Sequence, residues 1–73
     1  MASGVIKTEG GRGMRADWGQ LVGRTVEVWR LGEYVVTGIV EQAAADDSVL
    51  WIAAEGNRTR KLFDKLSGYQ MWA

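Results

Sequence analysis

The residues able to do chemistry in this chain fall into three groups. The first is four tryptophans, Trp18, Trp29, Trp51 and Trp72, many for 73 residues. The second is a run of cations, Arg58, Arg60, Lys61 and Lys65, with Tyr69 and Trp72 close behind. The third is a pair of carboxylates, Asp46-Asp47. Histidine and cysteine are absent, which removes the imidazole base, the thiolate nucleophile, disulfides and the usual zinc or iron ligands. Catalysis would have to run on carboxylates alone, such as Glu27 and Glu41, and nothing in the sequence pairs them. The chain is therefore expected not to be an enzyme, and to hold no cofactor and no metal.

Each group has a structural reading beside its chemical one. Phosphates and stacked bases suit the cationic run with its aromatics, the combination that grips a single nucleic-acid strand. An edge strand kept from aggregating by its charge has the same composition. Asp46-Asp47 would offer oxygens to a hard cation, yet Asp-Asp-Ser is also a turn signal, and neighbouring strand residues point opposite ways. Gly10-Gly11-Arg12-Gly13 lacks the lysine and hydroxyl of a phosphate loop and reads as part of a flexible tail.

The elements that must position these residues are short. Residues 1–16, interrupted by Gly4, Gly10, Gly11 and Gly13, read as a flexible N-terminal tail, and 17–73 as one small β domain. Asp17 with Gln20 three residues on has the spacing of a capping box over a turn that Gly23 ends. Trp18, Leu21 and Val22 on that turn must dock on something larger, because so short a helix does not stand alone. From Thr25 the period becomes two, with strands expected at Thr25–Arg30, Tyr34–Gln42, Val49–Glu55, Thr59–Phe63 and Tyr69–Trp72. Turns fall at Gly32-Glu33, Asp46-Asp47-Ser48 and Glu55-Gly56-Asn57, and Asp64 to Gly68 is about one helical turn long. Ala43 to Ala45 reads as a loop or frayed strand end. Alternation places Val26 and Val28, then Tyr34, Val36, Gly38 and Val40, then Leu50, Ile52 and Ala54 toward a core. The architecture expected is mainly β, a five-stranded small barrel with a helical turn at its start.

A chain of 8.1 kDa buries only about 60% of its unfolded surface, a thin margin that small domains make up by heavy packing or association. The alternate parity is apolar too: Trp29, Val35, Ile39, Val49, Trp51 and Trp72. A half-buried sheet should be polar there, and a contiguous exposed apolar patch marks an interaction surface. The N-terminal tail folded over that face, or sharp strand bends that break the parity, would also account for the set. Charge is zero overall but uneven: +2 over residues 1–24, −5 over 25–55 and +3 over 56–73. Opposed patches on a neutral chain favour meeting a protein partner or a second copy. No apolar run nears the ~20 residues of a membrane span and no export signal opens the chain, so the expected location is cytoplasmic, without a membrane partner.

Leu21 to Trp72 resembles the SH3-like small barrels, and among them most nearly the Sm-like fold. Gly23-x-x-Val26-x-Val28 followed by Gly32, Gly38, Val40 and Asp46 or Asp47 resembles the first Sm motif. Leu66-Ser67-Gly68-Tyr69-Gln70-Met71 resembles the second. The resemblance implies a short helix followed by five bent strands, and association through strand edges. It also implies uridine binding, but the asparagine and arginine of that pocket are replaced by Leu50 and Ser67, so its hydrogen-bonding readout is missing. The function expected is a binding or assembly module, a homo-oligomer or a protein-binding domain, acting through Trp29, Val35, Ile39, Val49, Trp51 and Trp72. The alternative is single-stranded RNA binding through Arg58, Arg60, Lys61 and Lys65.

Overall fold

The computed structural model describes residues 12–73. Six strands form one antiparallel sheet: β1 (Met14–Arg15), β2 (Thr25–Arg30), β3 (Glu33–Ala43), β4 (Val49–Ile52), β5 (Lys61–Asp64) and β6 (Tyr69–Trp72). Their order is β1-β6-β2-β3-β4-β5. The expected mainly-β class holds, while the strand count and closure do not. There are six strands rather than five, and β1 and β5 remain as the two edges of a sheet not closed into a barrel.

The additional strand comes from the end of the segment expected to be a tail. Met14 pairs with Trp72 and Arg15 with Met71, and Gly13 and Ala73 exchange both backbone hydrogen bonds, at 3.1 and 3.0 Å. The glycines that argued against structure here are compatible with a short strand added to an existing edge, which needs no propensity of its own. Residues 1–11 of the tail expected over 1–16 lie outside the described residues.

β3 is the longest element, and two bulges shape it. Val28 faces Val36 and Trp29 faces Tyr34, which leaves Val35 as the extra residue. Val40 faces Ile52 and Gln42 faces Trp51, which leaves Glu41 unpaired. Each extra residue bends the strand and raises its twist, so one strand serves both halves of the sheet. β4 ends at Ile52, short of the expected Glu55, because Glu55 and Arg58 exchange their own pair of backbone bonds around Gly56-Asn57. β5 in consequence starts at Lys61 rather than Thr59.

Val26, Val28, Val36, Val40, Leu50 and Ile52 are all buried, as their alternation requires, and Trp18, Leu21, Phe63 and Met71 complete the core. Trp18 opens a single 3-10 turn, Trp18–Gln20, and Leu21 follows it as the C-cap. Each large apolar side chain buried contributes about 1.5–3 kcal/mol, so docking rather than helical propensity holds this turn in place. The expected capping box is absent. The Asp17 side chain caps nothing; it accepts from Arg15 Nε and Nη2 at 2.8 and 2.6 Å. That bidentate hydrogen bond lowers its pKa from the ordinary carboxylate value. The turn is held instead from the other side of the chain, where the Gly19 amide donates to Asp47 Oδ1 at 2.7 Å. A second 3-10 turn, Lys65–Ser67, leads into β6 and is capped by Asp64, which accepts from the Ser67 amide.

Candidate interaction face

Cross-strand partners in an antiparallel sheet point to the same side, so the register assembles the outer face row by row. In one row Met14 lies beside Trp72, Trp72 beside Glu27, and Glu27 beside Thr37. In the next, Gln70 lies beside Trp29 and Trp29 beside Tyr34. Thr25 and Ile39 form a third. The apolar members are not hidden: Met14 is 46% exposed, Tyr34 54%, Val35 42% and Ile39 51%, and Trp29 and Trp72 are half-buried.

Local contacts fix the aromatic part of this face. Trp29 and Tyr34 meet edge to face, with ring centroids 5.7 Å apart at 74°, an arrangement the ring quadrupoles favour. The Tyr34 hydroxyl shares a hydrogen bond with Thr37 Oγ1 at 2.8 Å. Trp29 Nε1 donates to Glu27 Oε1 at 3.0 Å, and Arg12 Nη1 donates to the other carboxylate oxygen at 2.7 Å. The central charge of the face is thus neutralised within the chain. Trp72 Nε1 is buried with no hydrogen-bond partner among the described residues.

Of the six apolar residues predicted to share a face, Trp29, Val35, Ile39 and Trp72 are brought together here. Val49 and Trp51 are not. They lie on β4, beyond the second bulge, and both are only partly exposed. The Arg60 guanidinium lies 3.9 Å from the centre of the Trp51 ring and is itself held by Glu41 and by Gln42 Oε1, the latter at 3.0 Å. That arginine covers the indole, and Leu62 opposite it is half exposed.

Two members of the face were missed in the sequence. The sequence places Met14 in the tail. Strict alternation puts Tyr34 in phase with Val36 and so toward the core. The bulge at Val35 shifts the phase by one, and a bulge of this kind has no sequence signature without a glycine.

The four cations are engaged differently. Arg58 donates to Glu55 at 2.7 Å and to the Thr37 carbonyl at 3.3 Å. Arg60 is bound to Glu41, Gln42 and Trp51 as described. Lys65 Nζ donates to the Ala16 carbonyl at 2.6 Å and stands 4.9 Å from the Trp18 ring centre. Lys61, at the start of the β5 edge, is exposed. Asp46 and Asp47 also part ways. Asp46 Oδ1 accepts from the Ser48 hydroxyl at 2.6 Å and the Ser48 amide at 3.1 Å, which lowers its pKa, while Asp47 turns to Gly19. Among the described residues no three acidic side chains gather as metal ligands would, and no helix is long and apolar enough to cross a membrane.

Comparison with protein-family models, with curated proteins and with solved structures finds no match to this chain.

Proposed function

We propose that this chain is a non-catalytic assembly module that associates with a second copy of itself through the outer face of the β1-β6-β2-β3 half of the sheet. The observation that carries the proposal is the alignment of Met14, Trp29, Tyr34, Val35, Ile39 and Trp72 on one side of four adjacent strands, four of them more than two-fifths exposed. Apolar area of that kind is costly in water and is recovered on association. The Arg12–Glu27 pair leaves no unmatched charge in the middle of the face, so its burial carries little electrostatic penalty beyond desolvation.

The architecture we propose behind this role is an open relative of the SH3-like folds, most nearly Sm-like in strand order, with β1 as an addition. Without β1 the order is β6-β2-β3-β4-β5, the last strand lying beside the first. Together with a bent second strand shared by both halves and a 3-10 turn before the last strand, that order supports the reading. Single-stranded RNA binding gains less support, because three of its four cations are engaged inside the chain.

Solution mass by light scattering at two protein concentrations tests the association. The expected result is a mass above 8.1 kDa that rises with concentration, and a monomer for Ile39→Lys with an unchanged circular dichroism spectrum. Ile39 is half exposed, so the substitution should not unfold the domain. A wild-type monomer at both concentrations would sink the proposal.

A further inference from the structure

Arg12 is already on the outer face of the sheet. It lies two positions before Met14 and so shares its side. Its guanidinium reaches Glu27 at 2.7 Å, the acid that stands between Trp72 and Thr37 in the Met14 row. The backbone is held at the same place, since Gly13 and Ala73 exchange both of their hydrogen bonds. Residues 1–11 are therefore tethered at the rim of the apolar face.

That attachment, the composition of the segment and its length all bear on what meets the face. The segment carries Met1, Ala2, Val5 and Ile6 as apolar side chains, and Lys7 and Glu9 cancel. The face it adjoins is apolar around a neutralised Arg12–Glu27 pair. From Arg12 back to Ile6 is about 20 Å of extended chain, while the three strand spacings from β1 to β3 come to about 14 Å. Gly10-Gly11 opens the conformations that a reversal onto the sheet requires. Trp72, beside Met14, also keeps a buried Nε1–H with no acceptor among the described residues, although nearly all buried donors have one.

We infer that residues 1–11, through Val5-Ile6, compete with the second copy for the outer face, so that the chain limits its own association. The inference rests on the self-association proposed above and adds its regulation. A competitor on the same chain acts at an effective concentration in the millimolar range, while a second copy acts only at its free concentration. Two apolar side chains delivered in this way hold the face against micromolar protein without a large interface of their own. Occupancy of nine-tenths raises the apparent dissociation constant about 10-fold. Association is then strengthened by whatever draws residues 1–11 away.

The test uses the full chain, with Val5→Ser and Ile6→Ser combined in one variant. Light scattering over a dilution series should give this variant a dissociation constant about 10-fold lower than that of wild type. An unchanged constant would overturn the inference. A higher one would make the segment part of the interface with the second copy, and would overturn it too. Position is read separately, at a dilution where the chain is a monomer. The chain has no cysteine, so Thr8→Cys carries a single nitroxide label, which should broaden the amide signals of Thr37 and Ile39. Adding Val5→Ser and Ile6→Ser should remove most of that broadening. Broadening that persists would mean that the tether alone brings the label there, against the inference. Wild-type association that the double variant leaves unchanged defeats this inference alone, whereas no association in either chain defeats the self-association proposal.

Discussion

Asp47 Oδ1 accepts the Gly19 amide across 28 positions of sequence at 2.7 Å, and so joins the β3–β4 loop to the turn that carries Trp18. Asp47 takes φ 65° to do this, a conformation that Asp and Asn tolerate better than most residues. Asp47→Ala should therefore lose both the acceptor and the tolerance, at a cost of about 1–2 kcal/mol. Asp47→Asn keeps an acceptor oxygen and the backbone preference, and should recover most of that loss. Urea midpoints at constant m-value measure both. Equal losses for Ala and Asn would mean that the charge, rather than the cap, holds the loop.

Gly38 sits where β3 passes over Ile52. A Cβ there would lie 2.5 Å from Ile52 Cγ2, closer than two carbons can approach, and both residues are buried. Gly38→Ala should destabilise by about 1–3 kcal/mol through overpacking. Removing the β-branch with Ile52→Leu opens that space, so the double variant should be less destabilised than the two single losses predict. Strict additivity would show that the glycine serves the backbone bend and not the close approach.

Arg60 lies over Trp51 and is held by Glu41 and Gln42. All of these groups are at least partly exposed, so Arg60→Ala should cost no more than about 1 kcal/mol, with Trp51 fluorescence moving to longer wavelength as water reaches the ring. Arg60→Lys should not restore the spectrum, because an ammonium lacks the flat surface that stacks. An unchanged emission maximum in Arg60→Ala would mean that the indole is shielded by other groups.

The strands and the core were largely legible because both depend on local alternation. Val26, Val28, Val36, Val40, Leu50 and Ile52 recur at a period of two, and each is buried. What alternation cannot register is an interruption of its own phase. The bulge at Val35 moved Tyr34 outward, and the bend at Glu41 carried Val49 and Trp51 away from the face that Trp29, Val35, Ile39 and Trp72 share. Partnerships over long sequence separation were also hidden. Asp17 had the spacing of a cap, but Arg15 claimed its carboxylate from two residues away and left the work to Asp47. Met14 gave no strand signal because the template it pairs with, β6, lies 58 positions on. The turn between β2 and β3, where Leu31 and Gly32 take φ of 52° and 79°, was equally silent, since Leu-Gly is not a dipeptide that announces a tight hairpin.

β6 occupies the slot between β1 and β2, which sets an order of events during synthesis. Until Tyr69–Trp72 clear the ribosome, β1 has no strand to pair with and one side of β2 is open. Val26 and Val28 then lack the Met71 side chain that seals their end of the core. Two of the five strand pairings thus wait on the four residues of β6. A nascent or prematurely stopped chain would present two open edges to its neighbours, and protection of this interval falls to whatever binds the chain as it emerges.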